Sequence, residues 1–153
     1  MSQDELRNMD RRSALAALGA GCVGALAGCT SVLGADVDYD VGMSATEFVP
    51  RRLRVDAGTE VVWYNNSSRG HTVTAYDAGI PEEASYFASG GFEDETAARE
   101  AFWDWRDDPE GTGGGMLTSG ESYRHTFEVP GEYRYVCLPH EQGGMVGTIV
   151  VEE

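Results

Sequence analysis

Lysine is missing from this chain altogether: its eleven basic residues are all arginine, set against 26 carboxylates, for a formal charge of −15. That balance argues against nucleic acid as a partner, because an acidic surface repels phosphates, and it leaves a strongly solvated exterior. Histidine is scarce, with three residues at 71, 125 and 140, so any imidazole chemistry has few owners. Cysteine is scarcer in effect. Of its three residues, Cys22 and Cys29 lie in the N-terminal apolar run and only Cys137 in the body of the chain, which excludes a disulfide framework there. No repeat or second domain is evident in the 153 residues, a length that suits one domain plus extensions.

The apolar run reads as an address rather than as structure. Arg11-Arg12-Ser13-Ala14-Leu15 opens an Ala/Gly-rich stretch to Ala27, the pattern of a twin-arginine export signal. It closes on Leu26-Ala27-Gly28-Cys29, which resembles a lipobox, with Cys29 as the lipidated first residue of the mature chain. The expected boundaries are a signal over 1–28, a lipidated tether over 29–36 and a folded domain over 37–153. An uncleaved transmembrane anchor is the competing reading, since residues 13–35 carry no charge and about twenty apolar residues span a bilayer. Both readings put the domain at the extracytoplasmic face of the cell membrane. Cleavage removes three arginines and three carboxylates, so the charge stays at −15 and Cys137 remains a single thiol. In an oxidising exterior such a thiol is a liability unless a metal occupies it.

From residue 37 onward the hydrophobic period is mostly two. Arg51 to Val55 alternates after Phe48-Val49-Pro50, Gly58 marks a turn, Glu60 to Asn65 forms a second strand, and Asn65 to Gly70 is a polar loop. His71 to Ala75 is the next expected strand, with His71 at its mouth. Tyr123 to Val129 and Tyr133 to Cys137 pair across the Pro130-Gly131-Glu132 turn, and Thr148 to Val151 follows. Short strands with turn signals between them predict an all-β, antiparallel Greek-key sandwich or barrel. One segment departs: Glu93 to Arg106 has helical period, with Ala98, Phe102 and Trp105 on one stripe, a Glu95/Arg99 pair four apart and Asp108-Pro109 as the stop. Packing of Phe102, Trp103 and Trp105 over one end of the barrel is favoured over an exposed docking patch.

The chemistry concentrates in a turn between two strands. Cys137-Leu138-Pro139-His140-Glu141-Gln142-Gly143-Gly144-Met145 sets a thiol, an imidazole and a thioether within nine residues. Pro139 and the Gly143-Gly144 pair supply bends that bring the three side chains to one point. A thiolate and an imidazole with a weak axial methionine, completed by a second histidine, is the ligand set of a blue-copper electron-transfer site. His125 lies mid-strand, in phase with Tyr123 and Phe127, and reads as a packed or surface histidine. His71 instead begins its strand at the end where the Cys137 turn lies. Met43 and Met116 have no loop context and read as packing. The expected ligands of one copper ion, Cu(I)/Cu(II), are therefore His71, Cys137, His140 and Met145.

On these residues the chain resembles the cupredoxins, most closely the plastocyanin-like branch that includes the halocyanins of halophilic archaea. The resemblance covers roughly residues 37–153 and is most specific in Tyr135-x-Cys137-x-Pro139-His140-x-x-Gly143-Gly144-Met145-Val146-Gly147. Val62-x-Tyr64-Asn65-Asn66 ahead of His71 and the Gly131-Glu132-Tyr133 turn support it. Acidity without lysine also resembles proteins of salt-loving archaea, whose carboxylates keep the surface hydrated in brine. The resemblance implies an antiparallel two-sheet Greek-key barrel, with His71, Cys137 and His140 as close equatorial ligands and Met145 as the distant axial one. It also implies that the outer edge of His140 reaches the surface, ringed by Pro139, Gly143, Gly144 and Gly70. Two features depart from the pattern. Gly70 and Thr72 flank the first histidine where plastocyanins commonly have Pro and Asn, residues that stiffen and hydrogen-bond the ligand loops. The stretch between His71 and Tyr123 is also longer than in plant plastocyanins.

Electron transfer is the expected function, because two nitrogens, a thiolate and a weak axial sulfur suit both copper oxidation states. Four filled positions leave no open site for substrate, which argues against an enzyme. A multicopper oxidase or copper nitrite reductase would need several further histidines. Membrane redox proteins are the expected electron donor and acceptor, with the lipid on Cys29 holding a monomer at the membrane. A copper carrier or storage protein and an exported binding module with a copper site are the alternatives, and reversible one-electron chemistry separates them from the carrier of electrons.

Overall fold

In the computed structural model the described residues are 37–109 and 113–153; the expected signal, Cys22, Cys29 and the tether lie outside them. Runs rich in β-branched and aromatic residues form the strands: β1 (Val41–Met43), β2 (Phe48–Val49), β3 (Arg52–Asp56), β4 (Thr59–Tyr64), β5 (Thr74–Ala75), β6 (Ser122–Phe127), β7 (Gly131–Val136) and β8 (Val146–Glu152). Helix α1 (Glu95–Asp107) interrupts them between β5 and β6. Two four-stranded sheets result, in the orders β2-β1-β4-β6 and β3-β8-β7-β5.

The two-sheet all-β architecture is the expected one, with an amendment to strand direction. β1 runs parallel to β4 and β3 parallel to β8, so both sheets are mixed rather than antiparallel throughout. The β3–β8 pairing follows a break between β2 and β3. Pro50 carries no N–H and breaks the ladder there, and the chain crosses from one sheet to the other, so β3 enters alongside β8.

The core fills the space between the sheets. In β8 the alternation buries Gly147, Ile149 and Val151. From the facing sheet Trp63, fully buried, stacks on Phe87 at 6.0 Å between ring centroids and meets Tyr135 edge-on at 5.6 Å. Phe127 and Tyr133 make a further edge-on pair across the sheets at 4.8 Å. Each such side chain contributes about 1.5–3 kcal/mol on burial.

The expected strand from His71 to Ala75 is shortened to Thr74–Ala75. β5 pairs with β7 only at Thr74↔Val136 and Ala75↔Tyr135; past Val136 the partner leaves the sheet, and residues 71–73 have no ladder to join. His71 makes an isolated bridge to Leu117 instead, with bonds of 3.1 and 2.7 Å. Helix α1 starts two residues later than its period suggests. The reason is the cap: Asp94 Oδ1 accepts the Ala97 N–H at 2.7 Å. Phe102 turns inward onto Val136 and Leu138, whereas Trp103 faces solvent.

Candidate metal centre

Strand β7 delivers Cys137, fully buried, at its end. The Cys137 N–H donates to Met145 O at 3.0 Å, making the two residues opposite ends of one closed turn. Between them Leu138–Gly143 winds as a 3-10 helix with Pro139 in its first turn, where the missing N–H has no bond to lose. The His140 N–H donates to Cys137 O at 3.1 Å, and the Met145 N–H to His140 O at 3.3 Å. Of the two glycines expected as a bend, only Gly144 occupies the left-handed region, at φ 79°, and it turns the chain toward β8.

His71 arrives from the other end of the sequence, and the loop before it is organised by buried Asn65. Asn65 Nδ2 donates to the carbonyls of Arg69 (2.6 Å) and Leu117 (3.0 Å), while Oδ1 accepts from the N–H and the hydroxyl of Ser67, both at 2.9 Å. Ser67 Oγ lies 2.9 Å from His71 Nε2. With its own proton given to Asn65, this oxygen accepts from His71 Nε2–H, which leaves Nδ1 unprotonated. That nitrogen lies 3.5 Å from Cys137 Sγ, and His140 Nδ1 lies 3.3 Å from the same sulfur.

The three ligand-type atoms lie within 4.8 Å of one another. A metal with bonds of about 2.0–2.3 Å to nitrogen and sulfur holds its ligand atoms roughly 3.5 Å apart, and the two nitrogen–sulfur separations, 3.5 and 3.3 Å, have that spacing. Met145 closes the same turn and is buried. His71 and Cys137 are buried and His140 is half-buried, so His140 is the member of the cluster that reaches solvent.

Burial sets the protonation of these three side chains. His71 is pushed down to about 4, chiefly by burial and further by His140 and Arg69. His140 is lowered by burial and by Arg69. The Cys137 thiol is pushed up to about 11 by burial, partly offset by hydrogen bonds from Thr72 and His140. Two neutral imidazoles are ready donors, and the thiol exchanges its proton for a cation on metal binding.

The two residues that depart from the plastocyanin pattern have local explanations. Thr72 Oγ1 accepts the Leu138 N–H at 2.8 Å, with both residues buried, and so ties the His71 segment to the Cys137 turn. Loop bridging is therefore retained, by a hydroxyl. At Gly70 a Cβ would overlap Met116 Cε, so the glycine makes room for that methionine, which packs with Phe102, Val136 and Leu138. Met43 is a core residue. His125 pairs with Val61 in the ladder and stacks on Phe87 at 4.9 Å, the packed histidine its mid-strand position suggests. Sequence reasoning missed Ser67 and Asn65, although a polar Asn-Asn-Ser-Ser tract four residues ahead of a candidate ligand is a usable signal.

A family model described as copper binding proteins of the plastocyanin/azurin family matches residues 35–152. The chloroplastic plastocyanin of Chlamydomonas reinhardtii is 31% identical over 82% of this chain and 68% of its own length. The plastocyanin of Scenedesmus fuscus is 31% identical over 76% of this chain and all (100%) of its own. Amicyanin-alpha of Methylorubrum extorquens is 30% identical over 92% and 89%, respectively. A solved amicyanin variant in its reduced state aligns with a TM-score of 0.50 at 25% identity, covering 78% of this chain and 86% of that one.

Proposed function

Because the chain belongs to the plastocyanin/azurin family of copper-binding proteins, blue-copper electron carriers rather than enzymes, we propose that it shuttles single electrons through one copper ion that His71, Cys137, His140 and Met145 would hold. The observation that carries the ligand set is the convergence of His71 Nδ1 and His140 Nδ1 on Cys137 Sγ at 3.5 and 3.3 Å. Bound copper supplies a one-electron couple whose two oxidation states both accept this donor set. The protein does the rest. Ser67 and Asn65 fix the His71 ring, Thr72 holds the two ligand segments in register, and burial of His71 and Cys137 keeps water from them. His140 presents the partly exposed edge through which an electron leaves.

Oxidised, copper-loaded protein should show an intense visible band from charge donated by the Cys137 thiolate. Cys137→Ser should remove the band and leave the far-UV circular dichroism unchanged. His71→Ala should abolish it and His125→Ala should spare it. Loss with His125→Ala together with retention in His71→Ala would refute the ligand set.

The same reading makes this a halocyanin-type monomer, exported by the twin-arginine route and held by a lipid on Cys29 at the extracytoplasmic face of the membrane, between redox proteins that donate and accept its electron. Its support is the Arg11-Arg12 and Leu26-Ala27-Gly28-Cys29 pattern and the absence of lysine. In molar salt the Debye length is about 3 Å, so the acidic surface steers no partner over distance and contact falls to the rim of His140 formed by Pro139, Gly143, Gly144 and Gly70. Mass spectrometry of membrane-extracted protein should find a lipid-modified N-terminus at Cys29; a chain still carrying Arg11 would refute the lipid anchor.

A further inference from the structure

Helix α1 belongs to the long segment between His71 and Tyr123, and it aims an arginine at the ligand turn. Arg99 donates from Nε to Glu95 Oε1 at 2.8 Å and from Nη1 and Nη2 to the two oxygens of Glu141 at 2.7 and 2.8 Å. Glu141 is the residue after His140, inside the 3-10 turn. Tyr76 Oη donates to the same carboxylate at 3.2 Å, from the end of β5. The helix is itself anchored: Glu95 Oε2 accepts the Asp77 N–H at 2.9 Å, and Asp77 Oδ1 accepts the Glu95 N–H at 3.0 Å. Three residues after Arg99, Phe102 packs on Leu138 and Val136. Helix and turn therefore meet through a charged clamp beside an apolar contact.

The clamp differs in kind from the other ion pairs. Arg52–Glu132, Arg54–Glu152, Arg106–Asp107 and Arg124–Glu60 join side chains at least 50% exposed, and such pairs contribute little, less still in salt. Arg99 and Glu141 are 27% and 34% exposed and meet in a bidentate fork, which a lysine cannot reproduce. The fork holds the Glu141 carboxyl below the usual carboxylate range. The fork and Tyr76 act on the turn through the Glu141 carboxylate; among the described residues, the side chains of other segments that hydrogen-bond the turn's backbone are Thr72, at the Leu138 N–H, and Arg51, at Gly144 O (3.0 Å). Neither bonds to the middle of the turn, where His140 sits.

We infer that α1 is a brace for the ligand turn and that Arg99 is a positioning residue, whose bidentate hold on Glu141 fixes the backbone carrying His140 against a helix anchored to the segment after β5. The inference rests on His140 being a copper ligand, as proposed above. A turn held in this way keeps His140 in place while an electron arrives and leaves, which limits the rearrangement that accompanies transfer.

Hydrogen exchange tests the brace in the full-length chain, with copper and without it. The amides of His140, Gly144 and Met145 report the turn; those of Tyr133 and Ile149 report the flanking strands. Arg99→Met, which keeps the aliphatic stem and loses the fork, should speed turn exchange about tenfold, equivalent to about 1.4 kcal/mol, and leave the strand amides unchanged. Arg99→Lys should recover part of the protection, and Arg99→Met with Glu141→Gln should exceed neither single change. In the copper-loaded Arg99→Met protein, a broadened charge-transfer band and slower electron self-exchange are expected, neither of which follows from lost stability alone. Equal acceleration of turn and strands, or no acceleration, overturns the brace. Should Arg99→Met fail to fold, Glu141→Gln supplies the same comparison. A wild-type chain without a thiolate–copper band would refute the ligand set instead, and exchange in the copper-free chain would still decide whether α1 braces the turn.

Discussion

Replacing Thr72 by valine removes one oxygen from the seam between the two ligand segments at almost constant volume. The Leu138 N–H that Thr72 Oγ1 accepts at 2.8 Å is then left without a partner, and neither residue is more than 6% exposed, so water cannot substitute. An unsatisfied buried donor costs about 1–3 kcal/mol. The Thr74 hydroxyl also loses an acceptor, but at 3.4 Å that bond is long and adds little. The net expectation is a loss of about 2 kcal/mol, or a drop in Tm of about 6–10 °C for a domain of this size. Urea unfolding of the copper-free chain near neutral pH measures it without coupling to metal binding, as a lower midpoint at unchanged slope. Thr126→Val, on the exposed face of β6, is the control and should stay within about 0.5 kcal/mol of the parent. If Thr72→Val lies within that same band, the Thr72–Leu138 bond is not the tie inferred from the geometry.

Acid should destabilise the copper-free protein at His71. Its pKa is depressed to about 4 in the folded chain, so its contribution is full above its ordinary value near 6.5 and is lost as pH falls toward 4, about 2 kcal/mol between pH 7 and 4.5. Lowered His140 acts in the same sense; urea midpoints across that range should fall, and a His71→Gln variant whose pH dependence matches the parent's would refute the attribution. Gly147→Ala should cost about 3 kcal/mol, because the new Cβ overlaps the ring of Tyr135, which is fully buried between Phe48 and Trp63 and cannot yield. Gly143→Ala, with open space at its Cβ, should be near neutral by the same denaturation assay, and the reverse ranking would contradict the packing. Met145→Leu should retain copper and raise its potential, since loss of a soft axial donor disfavours Cu(II); a lowered potential by voltammetry would remove Met145 from the ligand set.

Sequence alone determines the ligand turn and much of the fold. The turn from Cys137 to Met145 is legible because its geometry is local, written in nine residues with Pro139 and Gly144 among them, and it sets His140 Nδ1 beside Cys137 Sγ. Strand faces are legible because the period of two survives any arrangement of neighbours, and α1 because its apolar stripe and stop are also local. Tertiary structure decided what periodicity does not carry: which strands lie side by side, and where a ladder ends. That is why β1–β4 and β3–β8 are parallel against expectation, and why the strand after His71 begins only at Thr74, opposite the last residue of β7. It also decided the support of the site. The Ser67 contact that selects the His71 tautomer depends on how its loop closes, the Thr72–Leu138 bond joins residues 66 positions apart, and the Arg99–Glu141 fork spans 42. Pairings at such separations follow from strand order and helix docking, and a short polar side chain reads alike in sequence whether it faces water or holds a ligand loop in place.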